Sequence, residues 1–176
     1  MDSPAPRFQM SARVWLSMAR SLPGILSLAF SGLSRPALAG WSLVVAVWAD
    51  AAAGWLARRL GSASTASSGQ MDGVVDCLCF VAAPACFAMC TSPRRELAPA
   101  IVVFVAAGLF RLARFQVEGL VSGGYRGLPV TYNGYIFPAA ALLLFYEPGW
   151  DAVLFWYVPL ILSAGLMVGT FRVPEV

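Results

Sequence analysis

Asp50, Asp72 and Asp76 carry carboxylates in stretches where charge is costly, with "WSLVVAVWA" before the first and "CLCFVAAPACFAM" after the last. Asp50, Gly54, Ala57 and Arg58 follow steps of four, three and one, so on a helix they share a face. Asp72 and Asp76 are four apart and share a face on the next helix. The segment between is short, so the two helices must be antiparallel neighbours and the three acids can meet at one level. Anions gathered in low dielectric need a cation among them. Carboxylate oxygens are hard ligands suited to Mg²⁺, Mn²⁺ or Ca²⁺. Gly54 leaves space beside them, and Arg58 offers a fork for phosphate. The pattern points to a divalent metal and a phosphate at a membrane surface. The same acids also suit a proton or ion pathway, and Asp72 alone suits a helix N-terminus.

The elements that hold these residues are apolar. Of 176 residues 59% are hydrophobic and 12% charged, and mean hydropathy is +0.73. A soluble domain has about a quarter of its residues charged, so the composition places the chain in a bilayer as one membrane domain. All twelve basic residues are arginine and histidine is absent, which excludes imidazole catalysis and histidine-ligated metals. A net charge of +3 does not suggest nucleic acid as a partner. Cys77, Cys79, Cys86 and Cys90 sit in one apolar run and read as small packing residues rather than a zinc site. The N-terminus does not read as a secretory signal, because Arg13, Arg20 and Pro23 interrupt its apolar stretch.

Residues 8–20 place Phe8, Val14, Trp15 and Met18 on one face, which predicts an interfacial amphipathic helix within residues 1–21. Residues 22–172 then predict an all-α, polytopic domain of six transmembrane helices, near 22–34, 35–59, 71–89, 98–115, 131–147 and 150–171. Residues 60–70 read as a Ser/Gly-rich loop, and 116–130 as a glycine-broken loop or short surface helix. Tyr132 and Asn133 read as helix-start residues, and Glu147 and Asp151 as solvated residues flanking a turn. Six spans put both termini on one side with Arg7, Arg13, Arg20, Arg58, Arg59, Arg111, Arg114, Arg126 and Arg172; only Arg35, Arg94 and Arg95 fall opposite. That asymmetry predicts cytoplasmic termini and a cytoplasmic acidic cluster.

The residues then meet a known pattern. Asp50, Gly54, Ala57 and Arg58, followed by Asp72 and Asp76, resemble the CDP-alcohol phosphatidyltransferase signature D-x-x-D-G-x-x-A-R…G-x-x-x-D-x-x-x-D. "DGVVDCLCFVAAPA" (72–85), "RLARFQ" (111–116), "GLPVTYNGYIFPAA" (127–140) and "SLPGILSL" (21–28) are similar to the phosphatidylserine synthase branch, in the same order along the chain. The resemblance implies transfer of a phosphatidyl group from CDP-diacylglycerol to an alcohol, serine foremost, with release of CMP, in a bacterial inner membrane. It implies that Asp50, Asp72 and Asp76 ligate Mg²⁺ or Mn²⁺ and that Asp76 also acts as base. Gly54, Ala57, Arg58, Ser68 and Gly69 would bind the CDP-lipid, and Arg111, Arg114 and Arg126 the acceptor or phosphate. A homodimer also fits the family, and glycerol 3-phosphate or inositol are alternative acceptors. Ala53 stands where the signature has its second aspartate, which implies weaker metal binding and makes a slow or silent relative the other alternative.

Overall fold

A computed structural model describes residues 12–59, 66–119, 124–147 and 149–174. Among these, seven α-helices account for most of the structure: α1 (Ala12–Gly32), α2 (Pro36–Arg59), α3 (Ala66–Cys77), α4 (Ala83–Thr91), α5 (Ala98–Glu118), α6 (Asn133–Tyr146) and α7 (Ala152–Val168). A π-helical turn, Leu78–Ala82, joins α3 to α4 without interruption, so the described residues form six apolar helical stretches. Four are long and apolar enough to cross a membrane: Val14–Gly32, Pro36–Arg59, Gly69–Thr91 and Arg95–Glu118. The other two, Val130–Tyr146 and Ala152–Val168, are shorter, each about 26 Å at 1.5 Å per residue against a hydrocarbon core of about 30 Å.

The expected interfacial helix and first span are one element. Helix α1 runs unbroken from Ala12 through Pro23 to Gly32, so there is no break near residue 21, and residues 8–11 lie outside those described. Proline is tolerated inside membrane helices where neighbours satisfy the freed carbonyl. The helix stops in a Schellman turn: Ser34 takes a left-handed φ of 54°, Arg35 N–H donates to Phe30 O at 2.9 Å, and Ser34 N–H to Ser31 O at 3.1 Å. Pro36 then opens α2 at a position where its missing N–H costs nothing. Asp151, expected merely to be solvated, caps α7 by accepting from the N–H groups of Val153 and Leu154 at 2.8 and 3.1 Å.

The segment read as a loop or surface helix instead holds a strand. Gly124–Arg126 (β1) pairs antiparallel with Arg172–Pro174 (β2), with Tyr125 opposite Val173. Gly127 makes this pairing reachable: its φ is +71°, and a Cβ there would lie 2.6 Å from Met167 O and 2.8 Å from Gly169 O.

The core is aromatic at its centre and extends through Val75, Cys79 and Val130 up to the acidic residues. Phe87, Phe104, Phe137 and Trp156 are fully buried, with Phe104 and Phe137 centroids 5.0 Å apart and Phe137 and Trp156 5.7 Å apart. Trp41, Trp48, Val102, Leu142 and Leu154 are more than half exposed, an outward apolar surface suited to lipid. All four cysteines are free thiols.

Candidate active site

The three aspartates come together, and a guanidinium stands at their centre. Arg20 Nη1 donates to Asp50 Oδ1 in a very short contact and to Asp76 Oδ1 at 3.0 Å. Its Nη2 donates to Asp72 Oδ1 at 3.0 Å and to the Asp72 carbonyl at 3.4 Å. Ser17, one turn earlier on α1, also donates to Asp72 Oδ1. Helices α1, α2 and α3 thus each supply part of one cluster, and the Arg20 side chain is only 9% exposed. Among the described residues no three acidic or thiol side chains converge on one metal position as they stand. Their meeting point is Arg20.

The approach of α1 depends on a small residue. Gly24, one turn beyond Arg20, packs so tightly on the π turn that a Cβ there would sit 2.3 Å from Cys79 Sγ and 2.9 Å from Cys79 Cα. The π turn widens the helix just after Asp76, and a turn of this kind is frequent at functional sites. Asn133 secures it by donating from Nδ2 to the Phe80 carbonyl at 2.9 Å, fully buried.

Two cavities open on either side of Asp50 and Asp76. One, of about 490 Å³, has Arg20, Ala53, Gly54, Ala57, Arg58, Gly69 and Asp72 in its walls. Arg58 makes no ion pair with any described residue there, and a Cβ at Gly54 would meet only Arg58 Nη1, at 3.8 Å. Of the residues expected to bind the CDP-lipid, Gly54, Ala57, Arg58 and Gly69 line this cavity, whereas the Ser68 side chain lies outside those described. Gln116 also lines it and donates to Gly69 O at 3.0 Å, which ties α5 to α3.

The second cavity, of about 420 Å³, is walled by Arg111, Tyr125, Thr131, Tyr132, Tyr135 and Val173 together with Asp50 and Asp76. Arg111 is buried, with its guanidinium carbon 5.3 Å from the Phe115 ring centre and 5.8 Å from that of Tyr125. The other two arginines of the expected acceptor set are placed differently. Arg114 donates to the carbonyls of Arg126 at 2.9 Å and of Met167, Val168 and Gly169 at 3.2 Å, so it ties the end of α7 to β1. Arg126 pairs with Glu118 at 3.2 Å on the exposed surface. Neither lines the two cavities beside the aspartates.

Sequence reasoning missed Arg20, Tyr125 and Tyr132 at this site. Arg20 carried a signal, because a charge at the mouth of an apolar helix needs a partner. Tyr125 carried none, since its place depends on a strand pairing with residues almost fifty positions away.

Comparison with known proteins places the chain in a family. The family model for CDP-alcohol phosphatidyltransferase matches residues 14–171, which reach into every helix described. Archaetidylserine synthase of Methanothermobacter thermautotrophicus is 30% identical, over 92% of this chain and 68% of that protein. A match of that extent, with aspartates from two adjacent helices gathered at one point, leads to one conclusion: the chain belongs to the CDP-alcohol phosphatidyltransferase family.

Proposed function

We propose that the chain transfers a phosphatidyl group from CDP-diacylglycerol to L-serine, giving phosphatidylserine and CMP. The observation that carries this reading is the position of Asp50 and Asp76 in the wall between two cavities. The larger one, with Arg58 and the open floor at Gly54, accepts the nucleotide diphosphate. The smaller one, with Arg111, accepts an amino acid whose carboxylate pairs with the guanidinium. Serine Oγ attacks the β-phosphorus from one side, its proton passes to Asp76, and the bond to CMP breaks on the other. Positioned carboxylate bases contribute about 10²–10⁴-fold to such steps. Asp50, Asp72 and Asp76 are the residues that would hold a divalent cation, which would supply charge neutralisation to the diphosphate.

Serine is favoured as acceptor by the relative's name, which puts serine in its product. The six helical stretches fit six spans if the two shorter ones cross a locally thinned bilayer, with termini and active site on the arginine-rich cytoplasmic side. Purified protein given CDP-diacylglycerol, Mg²⁺ and labelled serine should release CMP and form a labelled lipid. Turnover with glycerol 3-phosphate or inositol but not serine would reassign the acceptor. A second reading, a catalytically silent relative, draws on Ala53, which lines the larger cavity where the signature has a carboxylate. Absence of CMP release with every acceptor, restored by Ala53→Asp, would favour it.

A further inference from the structure

We propose that Tyr125, carried on the β1–β2 strand pair, is a positioning residue that sets the Arg111 guanidinium for an anionic acceptor, a role that rests on the Arg111 cavity being the acceptor's.

Arg111 is 5% exposed and makes no hydrogen bond or ion pair with any described residue. Its N–H donors are therefore not spent on the protein, as those of Arg114 are. What holds the guanidinium is a corner of two rings, Phe115 at 5.3 Å and Tyr125 at 5.8 Å from its carbon. The rings touch each other, with centroids 5.8 Å apart and planes tilted by 37°. Contact with ring faces leaves the N–H edge of a guanidinium free for an anion. Phe115 lies four residues after Arg111 on α5, so that contact comes with the helix itself. Tyr125 comes from another element, and its ring fixes the guanidinium relative to the rest of the cavity.

The strand pair aims that ring. Residues opposite each other in an antiparallel pair share a face. Tyr125 lies opposite Val173, and both line the cavity. The next pair, Arg126 and Arg172, alternates to the other face. Both are exposed there, and Arg126 meets Glu118 at 3.2 Å. Two strands of three residues are not stable alone, so other bonds must hold them. Gly127 N–H donates to Phe171 O at 2.8 Å and Leu128 N–H to Leu166 O at 2.9 Å. Arg114 adds its donor to the Arg126 carbonyl at 2.9 Å. These bonds keep Tyr125 on Arg111.

The test is steady-state kinetics in bilayers with CDP-diacylglycerol, Mg²⁺ and labelled serine, on Tyr125→Phe, Tyr125→Leu, Arg111→Gln and the double variant Arg111→Gln/Tyr125→Leu. Tyr125→Leu should raise the KM for serine about tenfold, the size of one desolvated cation–ring contact, with the KM for CDP-diacylglycerol nearly unchanged. Tyr125→Phe keeps the ring and should keep the serine KM. The double variant should be no worse for serine than Arg111→Gln alone, because Tyr125 acts through Arg111. A rise of both KM values together, a Tyr125→Phe as impaired as Tyr125→Leu, or independent effects in the double variant would overturn the inference. If Tyr125→Leu fails to fold, as judged by thermal unfolding, Val173→Gly decides: a raised serine KM supports the positioning role and an unchanged one ends it. Modification of Arg111 by phenylglyoxal, followed by mass spectrometry, needs no turnover. It should quicken in Tyr125→Leu and not in Tyr125→Phe. That outcome in a chain that transfers nothing to serine sinks the acceptor reading and leaves the positioning role; normal turnover with equal modification rates in all three chains does the reverse.

Discussion

Arg111 and Arg114 lie one helical turn apart on α5 and do different work. Arg111 is buried against Phe115 and Tyr125 and faces the cavity that also holds Asp76, so it can meet an anionic acceptor. Arg114 spends its donors on carbonyls at the end of α7. Arg111→Gln is therefore expected to raise the KM for serine at least tenfold, the loss of one charge-assisted contact, about 1.5–3 kcal/mol, with the KM for CDP-diacylglycerol nearly unchanged. Arg114→Ala is expected to lower stability by about 2 kcal/mol, seen as a fall in Tm, with both KM values held. Equal effects of the two substitutions on serine KM would refute this division. Spacing alone could not have made it, because both side chains fit an apolar helix near its charged end and only the packing of α7 separates them. The aspartates were legible for the opposite reason: their roles follow from spacing within two adjacent helices, which the sequence carries directly. What spacing did not reveal was that the cation at their centre is a side chain from a third helix.

Helix positions were legible wherever caps and apolar runs agree. Pro36 starts α2, Arg59 ends it, and the stretch from Ala98 to Glu118 forms as its composition suggests. Boundaries inside continuous apolar sequence were less so, since Pro23 reads as a break in water but is carried within α1. The strand pair β1–β2 was invisible because three-residue strands have no periodicity to detect. The contact that matters most at this scale is α1 on the π turn. Gly24→Ala would force Cys79 away, at a cost of about 1–3 kcal/mol for overpacking. Because Arg20 is one turn from that contact, the same substitution should also draw the guanidinium out of the aspartate cluster. A lowered Tm together with a changed Mn²⁺ affinity is the expected result; a lowered Tm with unchanged affinity would show that the packing and the cluster are independent.

For the whole molecule, one apolar core runs from the interlocked aromatic rings to Val75, Leu112 and Val130 beside the acidic cluster. Phe87, Phe104, Phe137 and Trp156 interlock on one another, whereas the cavities lie beside the end of α2 and the start of α3. Arg58 lines the larger cavity at the site, and Arg59 follows it in the last turn of α2. With the native cysteines replaced by serine, Arg59→Cys should react with an impermeant maleimide only after the cytoplasmic side is opened. Labelling of intact cells would invert the topology proposed. The most direct measurement of the central claim compares the unaltered chain with Asp76→Asn, both in bilayers holding CDP-diacylglycerol, Mn²⁺ and labelled serine. The account predicts equal molar amounts of CMP and labelled lipid from the first, and a loss of at least about 10²-fold in both products from the second; a serine lipid formed equally well by Asp76→Asn would contradict it.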